Sequence, residues 1–169
     1  MLVTNSGGLS ISATIPDALA AELWDTPKRQ RNTQAELLAV LMLMLTLPEQ
    51  LRGRHLVLYE DNQGALHNML AGSAADPQSR DLSAAIWLVA AVLRVTIWIE
   101  YIPSESNPSD CFSRPAEEDK QREMRELTAE FGLQAAAPVL PATLRMEPEA
   151  WSAAIEAAQK PAAANERDA

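Results

Sequence analysis

The chain has 169 residues, with 14 Lys and Arg against 23 Asp and Glu and a formal net charge of −9. That balance excludes a simple basic clamp for nucleic acid, but not a nucleic-acid enzyme whose active site is built from carboxylates. Hydrophobic residues at 47% suffice for a core and exclude global disorder, and only 6 glycines argue against a sandwich or barrel of many tight turns.

A single cysteine, Cys111, excludes an intramolecular disulfide and a Cys-based zinc site. The two histidines, His55 and His67, form no HExxH pattern. The opening MLVTNSGG has neither the basic nor the long apolar region of a secretory signal. The longest apolar runs, Leu37–Leu45 and Ala84–Leu93, fall short of the roughly 18–20 residues that span a bilayer. The chain therefore reads as soluble and intracellular, with no membrane partner and no distinction between nucleus and cytoplasm.

In chain order, Leu9–Ile15 alternates apolar and polar residues up to Pro16 and predicts a strand. Asp17–Leu23 predicts a short helix, and Thr26–Asn32 a polar, basic connector. Thr33 opens a strong helix over Gln34–Leu47. Thr33-x-x-Glu36 matches a capping box, and Pro48 follows the end. Arg54–Glu60 is apolar in its middle, as a buried parallel strand is. Asp61-Asn62 ends it, and Gln63–Leu70 predicts a helix closed by Gly72. A turn and cap at Asp76–Arg80 lead into a helix over Asp81–Leu93, then a strand over Val95–Ile102 closed by Pro103. Pro108 opens a helical stretch that is interrupted at Pro115 and resumes over Glu117–Phe131 until Gly132. Strands alternating with helices imply an α/β fold, with a mixed, mostly parallel sheet covered by helices in three layers.

Two regions follow from composition. Residues 1–133 form the folded domain. Residues 134–169 are an Ala-, Pro- and Glu-rich tail with one short helix near Pro148–Gln159. The charge divides similarly: residues 1–114 carry a net −4 and residues 115–169 a net −5.

Three carboxylates occupy informative places. Glu36 lies early in the first long helix, Asp61 at the C-terminal end of a buried strand, and Asp110 at the start of the helix after the last strand. Ligands in open α/β sheets collect at the carboxyl ends of the strands, where Asp61 and Asp110 could converge with Glu36 reaching them from its helix. Converging carboxylates repel unless cations neutralise them, and hard oxygen ligands suit Mg2+ or Mn2+. Plainer readings stand beside this one. Glu36 could be the far member of the capping box, Asp61-Asn62 a turn and helix cap, and Asp110 a carboxylate favoured by the helix dipole.

Gln34-Ala-Glu-Leu-Leu-Ala39, Leu56-Val-Leu-Tyr-Glu-Asp-Asn62 and Tyr101-Ile-Pro-Ser-Glu-Ser-Asn-Pro-Ser-Asp-Cys-Phe-Ser-Arg114 together resemble the ribonuclease H-like domain of retrotransposon reverse transcriptases. The resemblance covers residues 9–114 and extends toward 133. Each motif is short, and their order and spacing carry the likeness. The resemblance implies metal-dependent hydrolysis of the RNA strand of an RNA–DNA hybrid, with Glu36, Asp61 and Asp110 as catalytic metal ligands. It also implies a reverse-transcriptase domain in a longer polyprotein as a possible neighbour.

One departure matters most. The family's first carboxylate is an Asp on a central first strand, whereas Leu9–Ile15 looks like the family's third strand and has eight residues before it. The chain thus reads as an N-terminally truncated copy. A bridging ligand would be missing, catalysis would be weak or absent, and the Arg54–Glu60 strand would have an unpaired edge. The alternative is a non-catalytic remnant that binds nucleic acid or protein. Lys28, Arg29, Arg31 and Arg114 are the candidates for phosphate contact, against a solvated loop for the first three and a pairing of Arg114 with Asp110 or a neighbouring acid for the last. Trp87 and Trp98, inside apolar runs, are expected in the core.

Overall fold

The computed structural model describes residues 1–4, 7–24, 31–114 and 116–141. Lys28, Arg29 and the expected tail helix at Pro148–Gln159 lie outside the described residues. The described part is a mixed α/β structure.

Two amphipathic helices make the centre. Helix α2 (Arg31–Thr46) buries Leu37, Leu41 and Met44 along one stripe, and α5 (Pro77–Leu93) buries Leu82, Ile86, Val89 and Leu93 along another. Stripes at this spacing pack helix on helix, and α2 lies against α5. Ser79 and Ser83 of α5 are fully buried, and their small side chains allow a close approach. Strand β3 (His55–Glu60) runs parallel to β4 (Thr96–Tyr101), in register from His55↔Thr96 to Glu60↔Tyr101. Between β3 and α5 lies α4 (Gln63–Ala71), with Asn62 as N-cap and Gly72 in the left-handed conformation at φ 63°.

The remaining strands form a separate sheet. Strand β1 (Leu2–Thr4) pairs antiparallel with β2 (Gly7–Ser10), which pairs parallel with β5 (Leu133–Ala135). Helix α1 (Asp17–Leu23) spans the residues expected and buries Leu19 and Leu23. The short α3 (Pro48–Leu51) follows α2 directly. Late in the chain, α6 (Asp110–Ser113) and α7 (Glu118–Phe131) pack together, and α7 leads through left-handed Gly132 into β5.

Several expectations are corrected. The single mostly parallel sheet is two small sheets, with strand orders β1-β2-β5 and β3-β4, and no described strand bridges β1 and β3. The three-layer arrangement is incomplete, because α4 packs on one side of β3–β4 while Val57, Tyr59 and Trp98 are exposed. Trp98 is therefore not core: it is 64% exposed, and its indole N–H donates to Glu100 at 2.6 Å. Trp87 does pack against the core and donates to the Met69 carbonyl. The first predicted strand is shorter and earlier than Leu9–Ile15, because β2 ends at Ser10. Asp76 caps one continuous helix from Pro77, so the Asp76–Arg80 turn and the Asp81–Leu93 helix merge. Strand β5 lies where the tail was expected to begin, held by pairing with β2, a partner distant in sequence. Among the described residues, no helix is long and apolar enough to cross a membrane.

Candidate metal centre

The start of α2 is tied to the chain beyond β3 by two polar contacts. The Thr33 hydroxyl donates to Asn62 Oδ1 at 3.2 Å, and Gln34 Nε2 donates to Asp76 Oδ1 at 3.0 Å. Asn62 and Asp76 are the N-caps of α4 and α5, accepting from the Ala65 and Ser79 amides. Thr33 is thus no N-cap. It lies inside α2, which begins at Arg31, and the capping-box reading of Thr33 and Glu36 fails because the hydroxyl is used across the fold.

These ties bring Glu36 to the end of β3. Carboxylate oxygens of Glu36, Glu60 and Asp61 lie within 4.8 Å of one another. Glu36 and Asp61 are half-buried, and Glu60 is 4% exposed. Burial raises the Glu36 carboxyl above the ordinary range, and the neighbouring charges of Asp61 and Asp110 raise it further. Glu60 is pushed up to about 7, chiefly by burial and then by Glu36 and Asp61, while the Asn62 N–H bond at 3.0 Å pulls it partly back. Three carboxylates this close form a group of hard oxygen donors that could hold a metal ion.

Asp110 is outside this group. Arg114 Nη2 donates to both of its oxygens at 2.8 and 2.9 Å, and Lys120 Nζ stands 3.1 Å from Oδ2. Burial alone would raise the Asp110 carboxyl, but these bonds from Lys120 and Arg114 outweigh it and hold it below the ordinary range. Of the expected trio of Glu36, Asp61 and Asp110, the structure brings Glu36 and Asp61 together with Glu60, while Asp110 is engaged by two cations. It still acts on Glu36 through its charge.

Glu60 is the residue that sequence reasoning passed over. The signal was available: in a strand, alternate side chains share a face, so Glu60 follows Leu56 and Leu58 toward the helices. Of the expected phosphate-contacting cations, Arg31 lies 5.5 Å from the centroid of the Trp24 ring, and Arg114 pairs with Asp110. No protein-family model, curated protein or solved structure matches the chain.

Proposed function

We propose that this chain is a ribonuclease H-like domain of retroelement descent, whose carboxylate centre holds Mg2+ or Mn2+ and acts on the phosphodiester backbone of nucleic acid. The observation that carries the reading is the convergence of Glu36, Glu60 and Asp61 at the carboxyl end of a parallel strand. RNA–DNA hybrid is the substrate class that the motif resemblance implies. Glu36, Glu60 and Asp61 would hold the ion, and a bound divalent ion supplies an activated water and stabilises the leaving oxygen. The chain's own contribution is to keep three acids in one half-buried place, with the Asn62 N–H fixing Glu60 and the Thr33–Asn62 contact fixing α2.

Turnover is slow in this reading. Asp110, which the motif resemblance implies as a third ligand, is engaged by Arg114 and Lys120. The same observation favours, as second reading, a domain that binds metal and nucleic acid with little cutting.

The test is a Mg2+ titration read by thermal unfolding, beside a cleavage assay on a labelled RNA–DNA hybrid. Saturable stabilisation by Mg2+ that Asp61→Asn removes is the expected result, with weak cutting lost in the same variant. A melting temperature indifferent to Mg2+ and Mn2+ would overturn the proposal.

A further inference from the structure

The β3–β4 pair is parallel, and parallel sheets as a rule have both faces covered. Here one face is open. Leu56, Leu58 and Glu60 turn to the core side with Ile97 and Ile99. The alternate residues form the opposite face in three rows: His55 beside Thr96, Val57 beside Trp98, and Tyr59 beside Glu100. All six are exposed. Val57, Tyr59 and Trp98 keep 51%, 60% and 64% of their surface open.

Order, chemistry and area define what covers this face. The apolar row is the middle one and the rows at either end are polar, as in a protein interface with a dry centre and a wet rim. The Trp98 indole N–H already bonds Glu100, so covering the ring strands no donor. The six residues include one Glu and no Lys or Arg, which gives a phosphate backbone nothing to hold. The face is also its own complement. A two-fold axis along the strands sets Val57 on Trp98 of a second copy, with Tyr59 on Glu100 and His55 on Thr96. An axis across the strands sets Trp98 on Trp98 and Val57 on Val57, with His55 on Tyr59 and Thr96 on Glu100. Either way apolar meets apolar, and each rim residue meets a hydrogen-bonding group. At ~150–250 Å2 for a whole aromatic side chain, the open fractions leave roughly 500 Å2 on the six residues together. Two copies thus bury roughly 1,000 Å2, the lower limit of a specific interface and enough for a weak, reversible dimer.

We infer that the chain forms a two-fold dimer through the open face of β3–β4, sheet on sheet, with Val57 and Trp98 at the centre. A different protein would have to match a pattern of rows that a second copy matches by symmetry. The inference does not rest on the metal reading, because Glu60 lies on the other face of the sheet.

The test is analytical ultracentrifugation of the full chain in EDTA, from about 5 to about 500 μM. The weight-average mass should rise toward twice that of the monomer, with a dissociation constant on the order of 10–100 μM. Val57→Lys and Trp98→Glu stand at exposed positions, so the circular dichroism spectrum should not change. Each should weaken association at least tenfold, and mixing the two in equal amounts should recover it, because Lys and Glu then attract across the axis. A wild-type chain that stays monomeric at the highest concentration, as it would if another segment of the chain or a different protein took this face, overturns the inference. So does a dimer that both variants leave intact, or a mixture that associates no better than either variant alone.

Discussion

The Thr33 hydroxyl and the Asn62 side-chain carbonyl meet at 3.2 Å, across 29 residues of sequence, and the same Asn62 oxygen caps α4 through Ala65 N–H at 3.0 Å. One oxygen thereby fixes the start of α4 and the approach of α2, which carries Glu36. The contact also explains Gly64: a Cβ there would lie 2.7 Å from the Thr33 hydroxyl oxygen and 3.1 Å from Asn62 Oδ1. Gly64→Ala should lower stability by ~1–3 kcal/mol, the usual range for overpacking. Thr33→Ala should cost about 1 kcal/mol alone, and the two together should cost less than their sum. A double-mutant cycle by chemical denaturation measures this coupling, and strict additivity would show that the two positions do not touch.

The raised carboxyl of Glu60 sets a pH dependence with a definite sign. Its folded value of about 7 lies above the ordinary 4.5. Between those values the folded chain holds a proton that the unfolded chain has released, so stability falls as pH rises through the window and levels off above it. From the displacement of 4.5 to about 7 the full loss is roughly 3 kcal/mol, and Glu36, displaced in the same direction, adds to it. Glu60→Gln should flatten the curve between pH 5 and about 7.5. Urea unfolding across that range reads the slope, and a wild-type curve that rises with pH would contradict the assignment.

Asp110 and Asp61 should respond differently to substitution. Asp110 is bound by Arg114 and Lys120, whereas Asp61 stands with Glu36 and Glu60. Asp110→Asn should leave the Mg2+ midpoint within about twofold while Asp61→Asn abolishes the response, because only the latter removes a donor from the cluster. Calorimetric titration of both variants is the measurement. Loss of metal binding in Asp110→Asn would restore Asp110 to the ligand set.

The hydroxyl of Ser83 is buried in α5 with no hydrogen-bond partner among the described residues. Burying a hydroxyl unpaired costs about 1–3 kcal/mol. Ser83→Ala should raise the melting temperature, and Ser83→Leu should lower it by overfilling the space. Thermal unfolding of the pair checks both directions.

Much of the local structure was legible in the sequence because it depends on near neighbours. The Asp17–Leu23 helix, the apolar stripe of α2, the Asn62 cap and the Gly72 and Gly132 stops each follow from side-chain period and turn chemistry within a few residues. The pairing of Arg114 with Asp110 was visible at i,i+4 spacing, but the second cation, Lys120, comes from the next helix and was not. Glu60 was visible as the third member of an alternating face, yet a carboxylate in an apolar strand acquires meaning only when a helix brings Glu36 beside it.

What the sequence by itself determined is most of the helices, the β3 and β4 strands and the positions of its acids, since propensity, capping and alternation act along the chain. The tertiary structure alone decided that Glu60 joins Glu36 and Asp61, that Asp110 goes to two cations, that Trp98 stays outside, and that the strands divide into two sheets. Those outcomes depend on which backbone edges and charges meet across the fold, and such meetings depend on packing in three dimensions rather than on sequence spacing.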